Sequence, residues 1–277
     1  MLPYLIILRP INFVITFFSI IVAGLLCGIT ESNFMLIIFA ALSGSLVGSS
    51  GNIINDYLDI EIDAVNRPGR VLPSGKMSKQ SSLIYYFILL FAAIALAFLI
   101  NIYALAIVLF AITVIFFYSY SLKRIPLVGN IVVAFFTGFA FIFGGVAAEN
   151  WENGIIPGVF AFFVNLIREI VKDIEDTKGD LAHGVVTFPS KYGITNSLTL
   201  IRTLTIILML ITTIPFAFKI YRIEYFIIVM PLVNGLFVYF MREMSRELTA
   251  KKLRGMSNLL KLNMVFGLIA IFLGNQY

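Results

Sequence analysis

The chain has 277 residues, of which 60% are hydrophobic and 13% are charged, and its mean hydropathy is +0.98. Too few polar side chains are present to cover a soluble domain of this length, so the composition excludes one and predicts a protein that crosses the membrane several times. The net charge of +5 is spread over short loops without a single basic tract, which argues against nucleic acid as a partner.

Nine apolar segments are long enough to cross a hydrocarbon core of about 30 Å. Backbone groups in a bilayer must bond to one another, which leaves only helices or closed barrels, and the alternating pattern of barrel strands is absent. We therefore predict an all-α, polytopic membrane protein with nine transmembrane helices. The predicted spans are 10–28, 34–54, 83–100, 103–120, 127–148, 155–172, 198–218, 223–241 and 258–275.

Basic residues are distributed very unevenly between the two sides that these spans define. If the N-terminus is inside, only Lys219 and Arg222 of the 20 basic residues lie outside. Because positive residues concentrate on the cytoplasmic side, we predict a multi-pass protein of the cell membrane with a cytoplasmic N-terminus and cytoplasmic loops after the second and sixth spans. No linker divides the chain, so 1–277 is predicted to be one domain.

Every aspartate of the chain lies in one of two stretches, NDYLDIEID at 55–63 and DIEDTKGD at 173–180. The two stretches have the same internal spacing, which predicts two weakly related halves, about 1–126 and 127–277. The first set is Asp56, Asp59 and Asp63, with Asn55 adjoining, and the second is Asp173, Asp176 and Asp180, with Glu169 adjoining. Residues three and seven apart share one face of a helix, so each set is expected to project together.

Carboxylates placed together repel one another and need a cation. Cys27 and His183 are the only cysteine and histidine, and hard oxygen ligands favour Mg²⁺, which proteins usually hold with one or two carboxylates plus substrate phosphates. One acidic cluster has an alternative interpretation as solvated residues at a helix end, but two clusters with matching spacing favour a site. The basic residues near them in sequence, suited to binding phosphates, are Arg67, Arg70, Lys123, Arg124 and Lys172.

A diphosphate site that opens into membrane helices predicts a substrate with a lipid tail. If that tail is allylic, Mg²⁺ assists departure of the diphosphate, apolar walls exclude water, and aromatic faces stabilise the allylic cation.

At these residues the sequence resembles the UbiA superfamily of intramembrane prenyltransferases. Four segments carry the resemblance, in matching order. They are NDYLDIEID at 55–63, NRPGRVLPSG at 66–75, with Val71 where proline is commoner, YSYSLKR at 118–124 and REIVKDIEDTKGD at 168–180.

The resemblance implies a nine-helix bundle around a central cavity, in which Mg²⁺ bridges the two aspartate motifs to an isoprenyl diphosphate. It implies that Asn55, Asp56, Asp59, Asp173 and Asp176 bind metal, while Asp63 and Asp180 support the metal site. It further implies that Arg67, Lys123 and Lys172 hold the diphosphate, and that Tyr118 faces the reacting allylic carbon.

Within the superfamily, RPINFVITFF, VKDIEDTKGD and VVTFPSKYG are most similar to archaeal members that form the second ether bond of membrane lipids by transferring a geranylgeranyl group to geranylgeranylglyceryl phosphate. A lipid acceptor with a phosphate needs a cation, for which Arg9 and Asn12 are the predicted residues. Arg9 has an equal alternative interpretation as an ordinary membrane-edge arginine. Two other functions stay open: prenyl transfer to an aromatic quinone precursor, which shares the metal site, and transport of a lipid diphosphate without chemistry.

Overall fold

The computed structural model describes residues 2–182 and 186–275, and within them every regular element is a helix, which confirms the predicted all-α fold. The α-helices are α1 (Leu2–Ile7), α2 (Pro10–Leu26), α3 (Phe34–Leu58), α4 (Ile60–Asn66), α5 (Lys79–Ile100), α6 (Ile102–Tyr120), α7 (Val128–Ala147), α8 (Ile155–Ala182), α9 (Phe188–Tyr192), α10 (Ile194–Ala217), α11 (Ile223–Ile228), α12 (Gly235–Met244) and α13 (Ala250–Gly274). Two 3₁₀ turns, Leu122–Arg124 and Trp151–Gly154, and a π-helix, Val229–Asn234, complete the list.

Eight helical stretches among the described residues are long and apolar enough to cross a membrane. One of them, Ile223–Met244, joins α11, the π-helix and α12. The remaining predicted span, 10–28, corresponds to α2, whose 17 residues extend about 25 Å, near the lower limit for crossing. Each of the nine predicted spans therefore overlaps a helix.

The ends of the helices near the aspartates differ from the predicted span edges. The first motif extends along two helices that are interrupted only at Asp59, because α3 ends at Leu58 and α4 begins at Ile60, and α8 continues beyond the second motif to Ala182. Apolar residues alternate with the acids at helical spacing, so the helix keeps a packing face past the apolar run. The non-helical part of the first predicted loop begins at Arg67.

The helices group into two compact units. The first comprises Met1–Lys123 and Ala140–Gly154, and the second comprises Arg124–Phe139 and Ile155–Tyr277, so α7 contributes residues to both. The predicted relationship between two halves of the sequence stays a prediction.

In the first unit, α3 packs against α2, α5 and α6. Small residues make the close approach possible: a Cβ on Gly44 of α3 would lie 2.4 Å from Cδ1 of Ile20 on α2. The Ser43 hydroxyl also donates a hydrogen bond to the Ala93 carbonyl on α5, at 2.8 Å. Small side chains and interhelical hydrogen bonds are the usual basis of helix packing in membranes.

The segment between α4 and α5 is anchored by apolar side chains. Val71, Leu72 and Met77 are buried in a cluster with Ile53 of α3 and Tyr86 of α5. This packing fixes the backbone around Arg70, whose carbonyl accepts from the Ser74 amide at 3.0 Å. Val71, the departure from the family pattern, is therefore part of the packed interior.

In the second unit, α8 packs against α13, α10 and α9. The π-helix is tied to its neighbours by polar contacts, since Asn263 Nδ2 donates to the Val233 carbonyl at 3.1 Å and the Thr212 hydroxyl lies 3.1 Å from Asn234 Oδ1. Pro231, which lacks an N–H group, lies within this π-helix and contributes to the break in the α-helical ladder.

Candidate active site

The first motif is organised around Arg70, which binds two of its aspartates. Arg70 Nη1 donates to Asp63 Oδ2 at 2.5 Å and to Asp56 Oδ1 at 3.1 Å. Asp56 Oδ1 also accepts from Arg9 Nη2 at 2.7 Å. Asp56 and Asp63 are 6% and 5% exposed, so two nearly buried carboxylates depend on arginines that are partly open to solvent.

The third aspartate of the motif belongs to a separate contact. Asp59 stands at the junction of α3 and α4, where its φ of −97° and ψ of 9° depart from the helix. Its Oδ2 accepts from Lys123 Nζ at 2.5 Å, and the same ammonium group donates to Asn55 Oδ1 at 2.8 Å. The prediction that the three aspartates project together therefore resolves into two contacts, one centred on Arg70 and one on Lys123.

The acids of the first motif are neutralised by cations of the chain itself. Arg9, Arg70 and Lys123 pair with Asp56, Asp59 and Asp63, three positive side chains with three negative ones. The sequence argument that clustered carboxylates require a metal is therefore incomplete, because the chain itself supplies three of the required charges. Arg70 follows the motif closely, whereas Arg9 and Lys123 come from distant positions in the sequence.

The second motif has a different environment. Asp173 Oδ2 accepts from Asn130 Nδ2 of α7 at 2.8 Å. Asp176 is exposed and has no hydrogen bond or ion pair with a described residue. Glu175, between them, accepts from Arg254 of α13. The side chain of Asp180 and the whole of His183 lie outside the described residues.

The remaining predicted residues differ in exposure and partners. Arg67 and Asn12 are exposed, and neither side chain has a hydrogen bond to a described residue. Lys172 Nζ donates to Glu169 Oε2 at 3.1 Å. Tyr118, in α6, is half-buried.

Sequence reasoning missed two polar features of the second unit. One is Asn130, which holds Asp173. The other is the pair Asn165 and Arg168, in which Arg168 Nη1 donates to Asn165 Oδ1 at 3.2 Å. The available signal was their position: each is a polar side chain in or beside an apolar run, and intramembrane polar groups mark function by default.

The donor atoms of the first motif suit a hard cation such as Mg²⁺. Among the described residues, no three carboxylate, histidine or cysteine side chains are grouped as a ready metal site. However, Asn55 Oδ1 and Asp59 Oδ2 converge on one positive charge, the Lys123 ammonium. The ammonium group occupies the position that a metal cation would take, and the two oxygens are already arranged around it. Carboxylate and amide oxygens are ligands that Mg²⁺ accepts.

Comparison with known proteins places the chain in a family. Residues 15–265 match the UbiA prenyltransferase family. The digeranylgeranylglyceryl phosphate synthase of Methanosphaera stadtmanae is 34% identical over 272 residues, which cover 98% of each chain. The enzyme of the same name from Methanobrevibacter smithii is also 34% identical, over 98% of this chain and 97% of the relative.

Solved structures agree with this result. A structure described as giving insights into digeranylgeranylglyceryl phosphate synthase in membranes has a TM-score of 0.83 and 33% identity, covering 98% of this chain and 97% of the other. A UbiA homologue from Archaeoglobus fulgidus bound to GPP and Mg²⁺ has the same fold, with a TM-score of 0.68 at 19% identity over 97% of this chain and 99% of the other. The chain is therefore a member of the UbiA prenyltransferase family of membrane enzymes.

Proposed function

We propose that this prenyltransferase moves a geranylgeranyl group from geranylgeranyl diphosphate to the hydroxyl of geranylgeranylglyceryl phosphate, forming the second ether bond of an archaeal membrane lipid. The observation that carries the proposal is the 34% identity, along 98% of both chains, to a relative named digeranylgeranylglyceryl phosphate synthase. A product with two geranylgeranyl groups requires an acceptor that already has one.

The proposed metal ligands are the oxygen donors of the two motifs. In the first unit they are Asn55, Asp56 and Asp59, with Asp63 in support through Arg70. In the second they are Asp173 and Asp176, with Asp180 in support. When bound, Mg²⁺ neutralises the diphosphate and makes it a better leaving group. Support comes from Asn55 and Asp59, whose oxygens already share one positive charge.

The proposed substrate contacts use side chains with different availability. Arg67 is exposed and without a described partner, so its guanidinium is available to diphosphate oxygens at no loss of an existing ion pair. Lys123, Lys172 and Arg70 each have a carboxylate partner and donate to the diphosphate when the charge of that partner is compensated.

The chemical step exchanges one carbon–oxygen bond for another. The allylic carbon–oxygen bond breaks, and its electron pair leaves with the diphosphate. The acceptor oxygen forms the new ether bond, its O–H bond breaks, and the proton passes to the departing diphosphate. Tyr118, half-buried on α6, is the proposed aromatic neighbour of the allylic carbon, where the ring face stabilises developing positive charge.

The acceptor phosphate is assigned to Arg9 and Asn12. Arg9 is an N-terminal neighbour of α2 with a left-handed backbone, φ 55°, and its guanidinium lies 2.7 Å from Asp56. With a side chain 36% exposed, Arg9 retains donors for a second anion. This position at the first motif supports a function beyond that of an ordinary membrane-edge arginine.

We also propose that the N-terminus and both motifs face the cytoplasm, on the strength of the asymmetry of basic residues. Cys27, the only cysteine, is 1% exposed, which gives an unreactive background for cysteine labelling. In spheroplasts, a cysteine at Ser74 should react with an impermeant maleimide only after permeabilisation, while one at Ser32 should react without it. The opposite pattern would reverse the orientation.

The activity is tested by mass spectrometry of products. Purified protein with Mg²⁺ and geranylgeranyl diphosphate is offered geranylgeranylglyceryl phosphate in one reaction and a hydroxybenzoate or naphthoate in another. We expect an ether lipid in the first reaction alone, abolished by EDTA. A prenylated aromatic product instead would show that the acceptor is an aromatic compound and not the lipid. Binding of the diphosphate without any product would favour the transport alternative.

A further inference from the structure

One face of α8 carries a continuous row of polar side chains. Helical spacing places these residues within one arc, three to four positions apart along an otherwise apolar helix. The row is Asn165, Arg168, Glu169, Lys172, Asp173 and Asp176. The proposed function uses Lys172 and the two aspartates, and it leaves Asn165 and Arg168 without a role.

Three residues of this row, Arg168, Glu169 and Lys172, together carry one net positive charge, while Asp173 and Asp176 lie further along the helix. Arg168 Nη1 donates to Glu169 Oε1 at 2.5 Å, and Lys172 Nζ donates to Glu169 Oε2 at 3.1 Å. One carboxylate therefore serves two cations. Asn165 adds no charge, because it binds Arg168 through its amide oxygen.

Two hydrogen-bond donors in this row are unused. Asn165 Nδ2 and Arg168 Nε are buried, and neither has a hydrogen-bond partner among the described residues. Asn165 is 9% exposed as a whole residue. Buried donors without acceptors destabilise a protein, so they call for an explanation such as a ligand that supplies the acceptor.

The surroundings of the two donors suit an amphiphile. Arg168 lies one turn after Val164, and Val164, Ala161 and Phe160 of the same helix line an apolar cavity in the second unit. Along α8, an apolar wall is therefore followed by a positively charged group with several hydrogen-bond donors. A lipid chain with an anionic oxygen at its head has the complementary arrangement.

We propose that Asn165 and Arg168 form an oxyanion subsite for the phosphoryl oxygens of a substrate, a proposal that rests on the proposed function. Two substrates carry such oxygens, the diphosphate donor and the phosphate-bearing acceptor. Arg168 precedes Asp173, the nearest proposed metal ligand of α8, by about 7.5 Å along the helix axis, at about 1.5 Å per residue. Because the acceptor phosphate is assigned to Arg9 and Asn12, this position beside the second motif favours the diphosphate.

The experiment measures direct binding in detergent. Radiolabelled geranylgeranylglyceryl phosphate, geranylgeranyl diphosphate with Mg²⁺, and geranylgeraniol are titrated against wild type, Asn165→Leu and Arg168→Lys. Arg254→Gln is the matched control, because Arg254 also pairs with a glutamate of α8 but is 76% exposed. We expect each subsite variant to weaken one phosphorylated ligand about tenfold, the effect of losing a hydrogen bond to a charged group, with geranylgeraniol unchanged.

The outcomes are distinguishable. Weaker binding of the acceptor alone assigns the subsite to its phosphate, and weaker binding of the diphosphate alone assigns it to the donor; either supports the subsite. Equal binding by wild type and both variants would overturn it, and Asn165→Leu would then raise the melting temperature by removing an idle buried donor. If wild type does not bind geranylgeranylglyceryl phosphate at all, the proposed acceptor fails, and the diphosphate titration still tests the subsite.

Discussion

The two aspartate motifs have the same spacing in sequence but different electrostatic environments. The first is nearly buried and compensated by Arg9, Arg70 and Lys123, whereas the second has Asp173 held by Asn130 and leaves Asp176 exposed. Among the described cations near the second motif, Arg168 and Lys172 pair with Glu169, and Arg254 pairs with Glu175. Equal spacing in sequence therefore does not fix the charge balance of a motif, which depends on the tertiary partners of its aspartates.

This difference indicates different tasks. The aspartates of the first motif are held in place before any ligand binds, and a metal cation that binds there displaces a positive side chain from their oxygens. In a motif with an exposed carboxylate, the negative charge stays available to a cation that binds from solvent. The predictions below test this contrast, from the largest expected effect to the smallest.

Asp56→Asn is expected to have the largest effect on activity. It removes the charge that balances Arg9 and Arg70 and a proposed metal ligand, so prenyl transfer should fall about 100-fold or more. Turnover at saturating Mg²⁺ is the measurement. Glu61→Gln, an exposed acid of α4, is the control and should retain wild-type turnover. Equal loss in both variants would mean that the effect is not specific to the aspartates of the motif.

Arg70→Ala is expected to lower stability more than any change of a surface ion pair. It leaves Asp56 and Asp63 with one arginine fewer in a nearly buried position, which should reduce the free energy of unfolding by about 2 kcal/mol. Thermal unfolding in detergent measures this. Arg254→Ala, at a largely exposed pair, should change it by less than about 0.5 kcal/mol. If Arg70→Ala and Arg254→Ala lower the free energy of unfolding by similar amounts, the contrast between the two motifs is contradicted.

Asn130→Ala tests the second motif. Without the Asn130 amide, Asp173 loses a donor that orients its carboxylate, so turnover should fall about tenfold and the Mg²⁺ concentration for half activity should rise. Asn196→Ala removes an exposed amide of the same unit and serves as control. If Asn130→Ala needs the same Mg²⁺ concentration for half activity as wild type, Asp173 does not contribute to metal binding.

Lys123→Met is expected to produce the smallest effect. Unlike Asn130→Ala, it should strengthen Mg²⁺ binding and not weaken it. The Lys123 ammonium competes with Mg²⁺ for Asn55 and Asp59, so its removal should tighten Mg²⁺ binding without substrate about threefold. Turnover should nevertheless fall, because a diphosphate contact is lost. Calorimetric titration with Mg²⁺ measures the first effect, with exposed Lys261→Met as control. Weaker Mg²⁺ binding would show that Lys123 supports the metal.

Much of the fold was predictable because a bilayer imposes simple requirements on a sequence. Each of the nine apolar runs forms helix, and the spans 83–100 and 103–120 are separated at Asn101, which caps α6 by accepting from the Ala104 amide at 2.8 Å. The helix ends near the motifs were placed too early, because polar residues with helical periodicity continue a helix that hydropathy alone cannot follow.

The residues of the site were predictable by type but not by partner. Asn55 and Lys123 are 68 positions apart, and nothing local in either segment specifies their contact. Arg9 was assigned from its position at the membrane edge, whereas its contact with Asp56 depends on how α2 packs against α3. Asn130 was missed because its only sequence signal, a polar residue beside an apolar run, is shared by ordinary capping residues at the start of a span.

The central claim is that the oxygens at the junction of α3 and α4 hold the catalytic cation. Mn²⁺ serves as a visible substitute for Mg²⁺, and its free concentration is read by electron paramagnetic resonance during titration of wild type, Asp59→Asn and Glu61→Gln in the presence of a non-reactive geranylgeranyl diphosphate analogue. We predict that wild type and Glu61→Gln bind Mn²⁺ alike and that Asp59→Asn binds it at least about tenfold more weakly. Undiminished binding by Asp59→Asn would contradict the claim.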